Sequence, residues 1–387
     1  MNPLSQPRHA IRRVVMRGGP FERGQQYGRQ ARDLILESIA SYRELFFHRQ
    51  KLSWAEAIAG ALTYEASIDA FAPEILEEIH GIANGAEVES GDILALNTRS
   101  ELMFAPPRSA AVPERAPGEC TSFALLPEAT QSGHTLIGQN WDWIPFAGKV
   151  LLMLEVHRDD GPGFVSITEA GLIAKMGCNA AGLGVCTNTL VSRQDNGRPG
   201  VPYHVMLRKL LDCETITEAA RMLTATPRAL SANYLVAHAS GLAFNAESLP
   251  GDAAGIAFVL PEDGMIAHTN HFVHPDFACQ DARVADQPHS LFRLDSMRRN
   301  LRRGTPGLSV EFLKGALQDH RGHPDGVCSH PDQRFPPIEQ RATLASMIVD
   351  LDAGELWVAS GPPCTNEYER FDLRSMFSTA SELINVG

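Results

Sequence analysis

The chain has 387 residues, a formal net charge of -12, 44% hydrophobic and 21% charged residues. This is the make-up of a globular protein with a full core, and its acidic balance disfavours a nucleic-acid or anionic-membrane partner. No stretch approaches the roughly 18 apolar residues of a membrane span, and the basic amino terminus has no apolar run behind it to form a secretory signal. Seven cysteines without any C-x-x-C argue against a disulfide framework or a cysteine-rich zinc site. A cytoplasmic protein with reduced thiols is expected.

The first hundred residues read as helices. Ile35, Ile39, Tyr42 and Phe46 share one helical face. Ser53 and Glu56 make a capping box before the run with Trp54, Ile58 and Leu62. Pro73 suits the first turn of a helix carrying Ile75, Ile79 and Ile82, with a stop predicted at Asn84-Gly85 and a short helix after it over 92–99. The segment "FAPPRSAAVPERAPGE" (104–119) then holds four prolines and little that packs, so it reads as an exposed linker. Beyond it strands are predicted at 122–127, 134–140, 150–157, 163–169, 171–176 and 183–189, divided by glycine-rich turns. Several are apolar on both faces, as in "VLLMLEV", which suggests sheets covered on both sides. Helices follow over 200–225, with Thr215 and Glu218 as another capping box. Strands are predicted at 233–238, 242–247, 255–260 and 264–269, helices at 289–302 and 309–318, and strands at 342–350 and 355–359. Without strict βαβ alternation, this order suggests an α+β layered domain.

Cys120, in "GECTSF", stands at the threshold between linker and strand. A thiol is a strong nucleophile once deprotonated, but it needs a base. No familiar cysteine-protease signature surrounds it. Cutting the Glu119–Cys120 bond would supply the base, because the freed α-amine has a pKa of about 7.7–8. That amine could take the thiol proton and later protonate a leaving amine. The linker would then be a disposable tether. An ordinary core cysteine is the competing reading.

"GECTSF", "GQNWDW" (138–143), "ITEAGLIAKMGCNAAGLGVCTN" (167–188), "HTNHF" (268–272), "EQRATLASMIVDL" (339–351) and "LWVASGPPC" (356–364) occur in that order. Together with "FERGQQYGRQ" and the helical lead-in, they resemble the acyl-coenzyme A:6-aminopenicillanic acid acyltransferase family of N-terminal-nucleophile (Ntn) hydrolases. The resemblance implies a four-layer αββα sandwich, made as a precursor and cleaved autocatalytically. Residues 1–119 would become a helical α chain and 120–387 a catalytic β chain, the two staying associated as one domain. It also implies Cys120 as nucleophile, Asp142 as the acid near the new amine, Asn270 as an oxyanion donor and Arg341 as a positive charge near the thiol. Ser122 could assist cleavage or anchor the loop. Where many members of that family have glycine or aspartate-glycine before the cysteine, this chain has Gly118-Glu119. A self-processing amidase acting on a small N-acylated compound is expected, with transfer from acyl-coenzyme A or an N-acyl donor to an amine as the alternative. No cofactor is expected, and a homo-oligomer is open.

Two histidine groups invite a metal reading: His268, His271 and His274, and then His320, His323, Cys328 and His330. A three-residue step alternates faces on a strand, so the first group should not converge. No H-E-x-x-H, Walker or G-x-G-x-x-G pattern is present, and no metal is expected. A binding module without chemistry would have no need of Cys120, Asp142, Asn270 and Arg341 together.

Overall fold

Between Pro20 and Phe104 the chain winds into seven helices in the computed structural model, which describes residues 11–104, 119–195, 197, 200–305 and 307–378. They are α1 (Pro20–Gln30), α2 (Arg32–Gln50), α3 (Trp54–Leu62), α4 (Glu65–Phe71), α5 (Pro73–Ala86), α6 (Ser90–Asn97) and α7 (Arg99–Phe104). Ile35, Ile39, Tyr42 and Phe46 are the buried face of α2, and Ser53 with Glu56 closes both halves of the capping box of α3. Helix α5 runs through Asn84-Gly85 and ends one residue later, at Ala86. The glycines that read as a stop are there for close approach instead. A Cβ on Gly85 would lie 2.2 Å from the Gln25 carbonyl of α1, and one on Gly24 of α1 would lie 2.2 Å from the Glu78 carbonyl of α5. Only hydrogen fits between these two helices.

The rest of the described chain builds two sheets. The larger has the order β1 (Arg12–Met16), β4 (Leu151–Val156), β5 (Phe164–Glu169), β6 (Met176–Asn179), β7 (Leu183–Thr189), β8 (Ala232–His238), β9 (Leu242–Ser248), β10 (Ile256–Val259). The smaller runs β11 (Met265–His268), β2 (Glu119–Leu125), β3 (Leu136–Trp143), β12 (Ala342–Asp350), β13 (Glu355–Ser360), β14 (Glu369–Asp372). Strand β1, in a region read as helical, pairs parallel to β4 at the sheet edge. The strand expected over 171–176 is a turn followed by β6. Gly171 takes φ +91°, and side chains hold this backbone: Asn97 Oδ1 accepts from Ile173 N–H and Ser166 Oγ from Lys175 N–H. The helix expected over 200–225 is two, α8 (Tyr203–Leu210) and α9 (Ile216–Ala225). Thr215 caps α9, while Glu218 accepts from Glu214 N–H rather than completing a box. Short α10 (Pro275–Ala278), then α11 (His289–Gly304), α12 (Val310–Leu317) and α13 (Leu373–Phe377) complete the helices.

Strand alternation turns these sheets into four layers. Gly184 of β7 faces Ile137 of the other sheet and Leu351 just past β12, and Ser122 of β2 reaches across to Asn188 of β7. The opposite face of β7 carries Thr187, whose hydroxyl meets Tyr203 of α8 at 2.6 Å. The outer face of the smaller sheet carries Phe123, Leu125, Leu136 and Ile348, covered by Leu294, Met297, Leu301, Leu313 and Leu317 of α11 and α12. The architecture is the expected α+β, αββα sandwich. The 104–119 linker falls, from 105 to 118, outside the described residues.

Candidate active site

Cys120 is on β2, facing the space between the sheets, and is 1% exposed. Its N–H donates to Asn270 Oδ1 at 2.7 Å. Its carbonyl accepts from Arg293 Nη1 at 2.8 Å and from Asn188 Nδ2 at 3.1 Å. Arg293 Nη2 also donates to Asn270 Oδ1, and Asn270 Nδ2 donates to the Thr189 carbonyl. These partners fix the amide orientation: two donors face one atom and a carbonyl faces the other, so the oxygen must point to Cys120. Asn270 therefore acts on Cys120 as an acceptor here, and its N–H groups face Thr189. Ser122 Oγ donates to Asn188 Oδ1 at 2.7 Å, and Asn233 Nδ2 donates to the same oxygen. The Ser122 hydroxyl thus steadies the amide that holds the Cys120 carbonyl.

Asp142 is in β3 itself, fully buried, in register with Glu119. Thr343 Oγ1 donates to its Oδ1 at 2.6 Å, while its Oδ2 is buried with no hydrogen-bond partner among the described residues. Burial raises its pKa to about 7, against the opposing pull of Arg293 and Thr343. Arg341 is buried where β12 begins, two residues before Thr343. It lines a cavity of about 350 Å³ with Asp286, Gln287, Asp325, Asp332 and Arg334 among others.

Burial pushes the Cys120 thiol upward, and the strongest opposing influence is the positive charge of Lys175, followed after Asp142 by Arg293. Lys175 is 2% exposed, and burial lowers its pKa to about 8. Its ammonium lies 4.7 Å from the centre of the Trp141 ring and 5.6 Å from that of Tyr203, and no hydrogen bond reaches it among the described residues. Neither Lys175 nor Arg293 was singled out in the sequence. The signal for the first is a lysine inside the apolar run "GLIAKMG". A cation is rarely buried there without a task.

His268, His271 and His274 do not converge. His268 meets Glu247 at 2.7 Å, His271 meets Ser290 at 2.8 Å, and His274 caps α10.

Two sheets between helical layers enclose a cysteine on the inward face of a strand, its backbone held by amide and guanidinium groups. The chain belongs to the acyl-coenzyme A:6-aminopenicillanic acid acyltransferase family, whose model matches residues 129–364. It is 32% identical over 321 residues to the acyl-coenzyme A:6-aminopenicillanic-acid-acyltransferase 40 kDa form of Emericella nidulans, covering 81% of this chain and 84% of that one. Similar solved structures include a mutant conjugated bile acid hydrolase from Clostridium perfringens, at 11% identity, TM-score 0.49 and coverage of 67% and 94% of the two chains. Another is penicillin V acylase from Agrobacterium tumefaciens, at 13% identity, TM-score 0.44 and coverage of 66% and 86%. Among the described residues no helix is long and apolar enough to cross a membrane.

Proposed function

We propose that the chain cuts itself between Glu119 and Cys120 and then acts as an N-terminal cysteine amidase on a small N-acylated compound. The observation that carries this reading is the buried Asp142 Oδ2, without a hydrogen-bond partner among the described residues, on the residue in register with Glu119. A buried carboxylate oxygen with nothing to accept is costly, and an ammonium freed at Cys120 would supply the missing donor. In the first step the Cys120 sulfur adds to the Glu119 carbonyl, the C–N bond breaks as its nitrogen takes the thiol proton, and a thioester joins Glu119 to Cys120. Water then cleaves that thioester, releasing the Glu119 carboxylate and leaving thiol and α-amine on one residue.

The same atoms serve substrate. The thiolate adds to the amide carbonyl, the C–N bond breaks, and the departing amine takes a proton from the α-ammonium. The product is a thioester on Cys120. Lys175 and Arg293 favour the thiolate by charge, and Asn270 holds the amine in place. For Asn270 to serve as oxyanion donor, its amide must leave the Thr189 carbonyl and turn toward the substrate oxygen. The α and β chains stay together after the cut because their contacts are buried. Tyr27 bonds to the Leu172 carbonyl, Asn97 to the Gly171 carbonyl and Arg99 to Glu169.

The thioester has two fates. Water gives the acid, while an incoming amine gives a new amide. Membership of a family named for acyl transfer favours the second as the alternative reading. Intact-mass analysis of purified protein tests the cut, with two chains ending at Glu119 and beginning at Cys120 as the expected result. The cut enzyme is then given N-acyl amides alone, or acyl-coenzyme A with an amine. A new amide from the second mixture decides for transfer. Wild-type protein that stays one chain yet is fully active overturns the reading.

A further inference from the structure

We propose that His320, Cys328, His330 and Cys364 hold one zinc ion in a structural site apart from the nucleophile. The four residues offer ligand atoms that all lie within 4.8 Å of one another. The two sulfurs are 3.6 Å apart, the Nε2 atoms of His320 and His330 are 3.1 Å apart, and His330 Nε2 is 3.6 Å from Cys328 Sγ and 3.5 Å from Cys364 Sγ. A tetrahedral zinc with its usual bond lengths would set these edges at about 3.8 Å between sulfurs, about 3.3 Å between nitrogens and about 3.6 Å between unlike atoms. These four edges match that set, and the remaining two, from His320 to the sulfurs, are within 4.8 Å. Hydrogen bonding alone does not account for the cluster, because one imidazole nitrogen faces a second imidazole nitrogen and two sulfurs. The sulfurs are also well beyond the roughly 2.05 Å of a disulfide. Two soft thiolates with two imidazoles select zinc over magnesium, calcium or manganese.

Four protein ligands leave no open position, so the site is structural rather than catalytic. Binding would convert two thiols to thiolates and release two protons as the ion enters. Sequence reading met three of these ligands in "DHRGHPDGVCSHPD" but lacked Cys364, which β12 and β13 bring back from a distant loop. The surroundings are built to present the ligands. Cys328 N–H donates to the Asp319 carbonyl and His330 N–H to the Pro324 carbonyl, each at 2.9 Å, and Gln318 Nε2 donates to the Pro363 carbonyl beside Cys364. Ser329, between two ligands, exchanges hydrogen bonds with Thr343, whose hydroxyl also holds Asp142. Zinc would thus pin the loop that braces the acidic residue of the active site.

Elemental analysis of full-length protein, purified without chelator and dialysed against metal-free buffer, is expected to find one zinc per chain. Exchange with cobalt(II) is expected to give the visible absorption of a tetrahedral ion and a thiolate charge-transfer band. Cys364→Ser should lower zinc occupancy severalfold and lower the melting temperature. His323→Ala, which alters a neighbouring imidazole outside the ligand set, should keep full occupancy. Cys120→Ala should also keep the zinc, so the test does not depend on the proposed catalysis. Wild-type protein without zinc and without the cobalt spectrum overturns the site, as does a Cys328–Cys364 disulfide in freshly prepared anaerobic protein. Undiminished zinc in a folded Cys328→Ser, Cys364→Ser double variant would do the same.

Discussion

The molecule contains two thiol sites whose neighbours differ in kind. Around Cys120 stand cations, Lys175 and Arg293, and no imidazole partner is bonded to the sulfur among the described residues. Around Cys328 and Cys364 stand two imidazoles. A nucleophile needs its charge balanced while its lone pair stays free, and fixed cations do that. A ligand thiolate needs other donors around a shared centre, and neutral imidazoles do that. The contrast teaches that a cysteine's role is set by the company its fold assembles, and each substitution below tests one half of it.

Cys120→Ala should have the largest effect. Mass analysis should find one uncut chain, and amidase activity should fall by about 10⁴-fold or more, as when a nucleophile is deleted from a comparable machine. Retention of the cut would move the chemistry to another residue.

Lys175→Met comes next. Removing the buried charge that opposes burial should push the Cys120 thiol pKa further up, slowing the reaction near pH 7. The deficit should close above pH about 8, where the wild-type lysine itself loses its proton. The rate of thiol alkylation against pH reads this directly. Equal deficits at all pH values would make Lys175 a packing residue only.

The layered fold was legible because strand and helix periodicity depends on nearby residues. Motif order supplied Cys120, Asn270 and Ser122, which hydrogen bonds through Asn188 and Arg293 connect, and Asp142, which pairs in register with Glu119. Lys175 and Arg293 escaped because burial is a tertiary property. "GLIAKMG" looked like a strand, and it is Asn97 and Ser166, distant in the chain, that hold it as a turn. The Cys364 contribution escaped for the same reason. Its partners precede it by a loop and a hairpin, and no local spacing announces them. The glycines of α5 misled because a helix stop and a close helix contact ask for the same residue.

Asp142→Asn should show a smaller, pH-dependent effect, best measured on the uncut Cys120→Ala background. Burial raises the Asp142 carboxyl from its ordinary value of 3.8 to about 7 in the folded chain. Between those values the folded state holds a proton that the unfolded state has lost, so stability falls as pH rises from about 4 to about 7. The loss is roughly 4 kcal/mol at most. The amide that replaces the carboxyl cannot ionise, so denaturation midpoints of the variant should lack that slope. A parallel decline in both proteins would mean that the carboxyl is already paired in the uncut chain.

Ser122→Ala should be the mildest change, and it separates anchoring from chemistry. The Ser122 hydroxyl donates to Asn188 Oδ1, which also receives Asn233 Nδ2, so deleting it leaves that oxygen with one donor. The Cys120 carbonyl keeps Arg293 and Asn188 as donors. The cost should be about 1 kcal/mol of stability, the usual net worth of one buried hydrogen bond. Cleavage at Cys120 should then proceed within a few-fold of the wild-type rate, followed by the appearance of the new amino terminus over time. An uncut but stably folded Ser122→Ala chain would instead give this hydroxyl a direct part in breaking the Glu119–Cys120 bond. The reactive cluster would then extend two residues along β2 rather than resting on Cys120 and the charges around it.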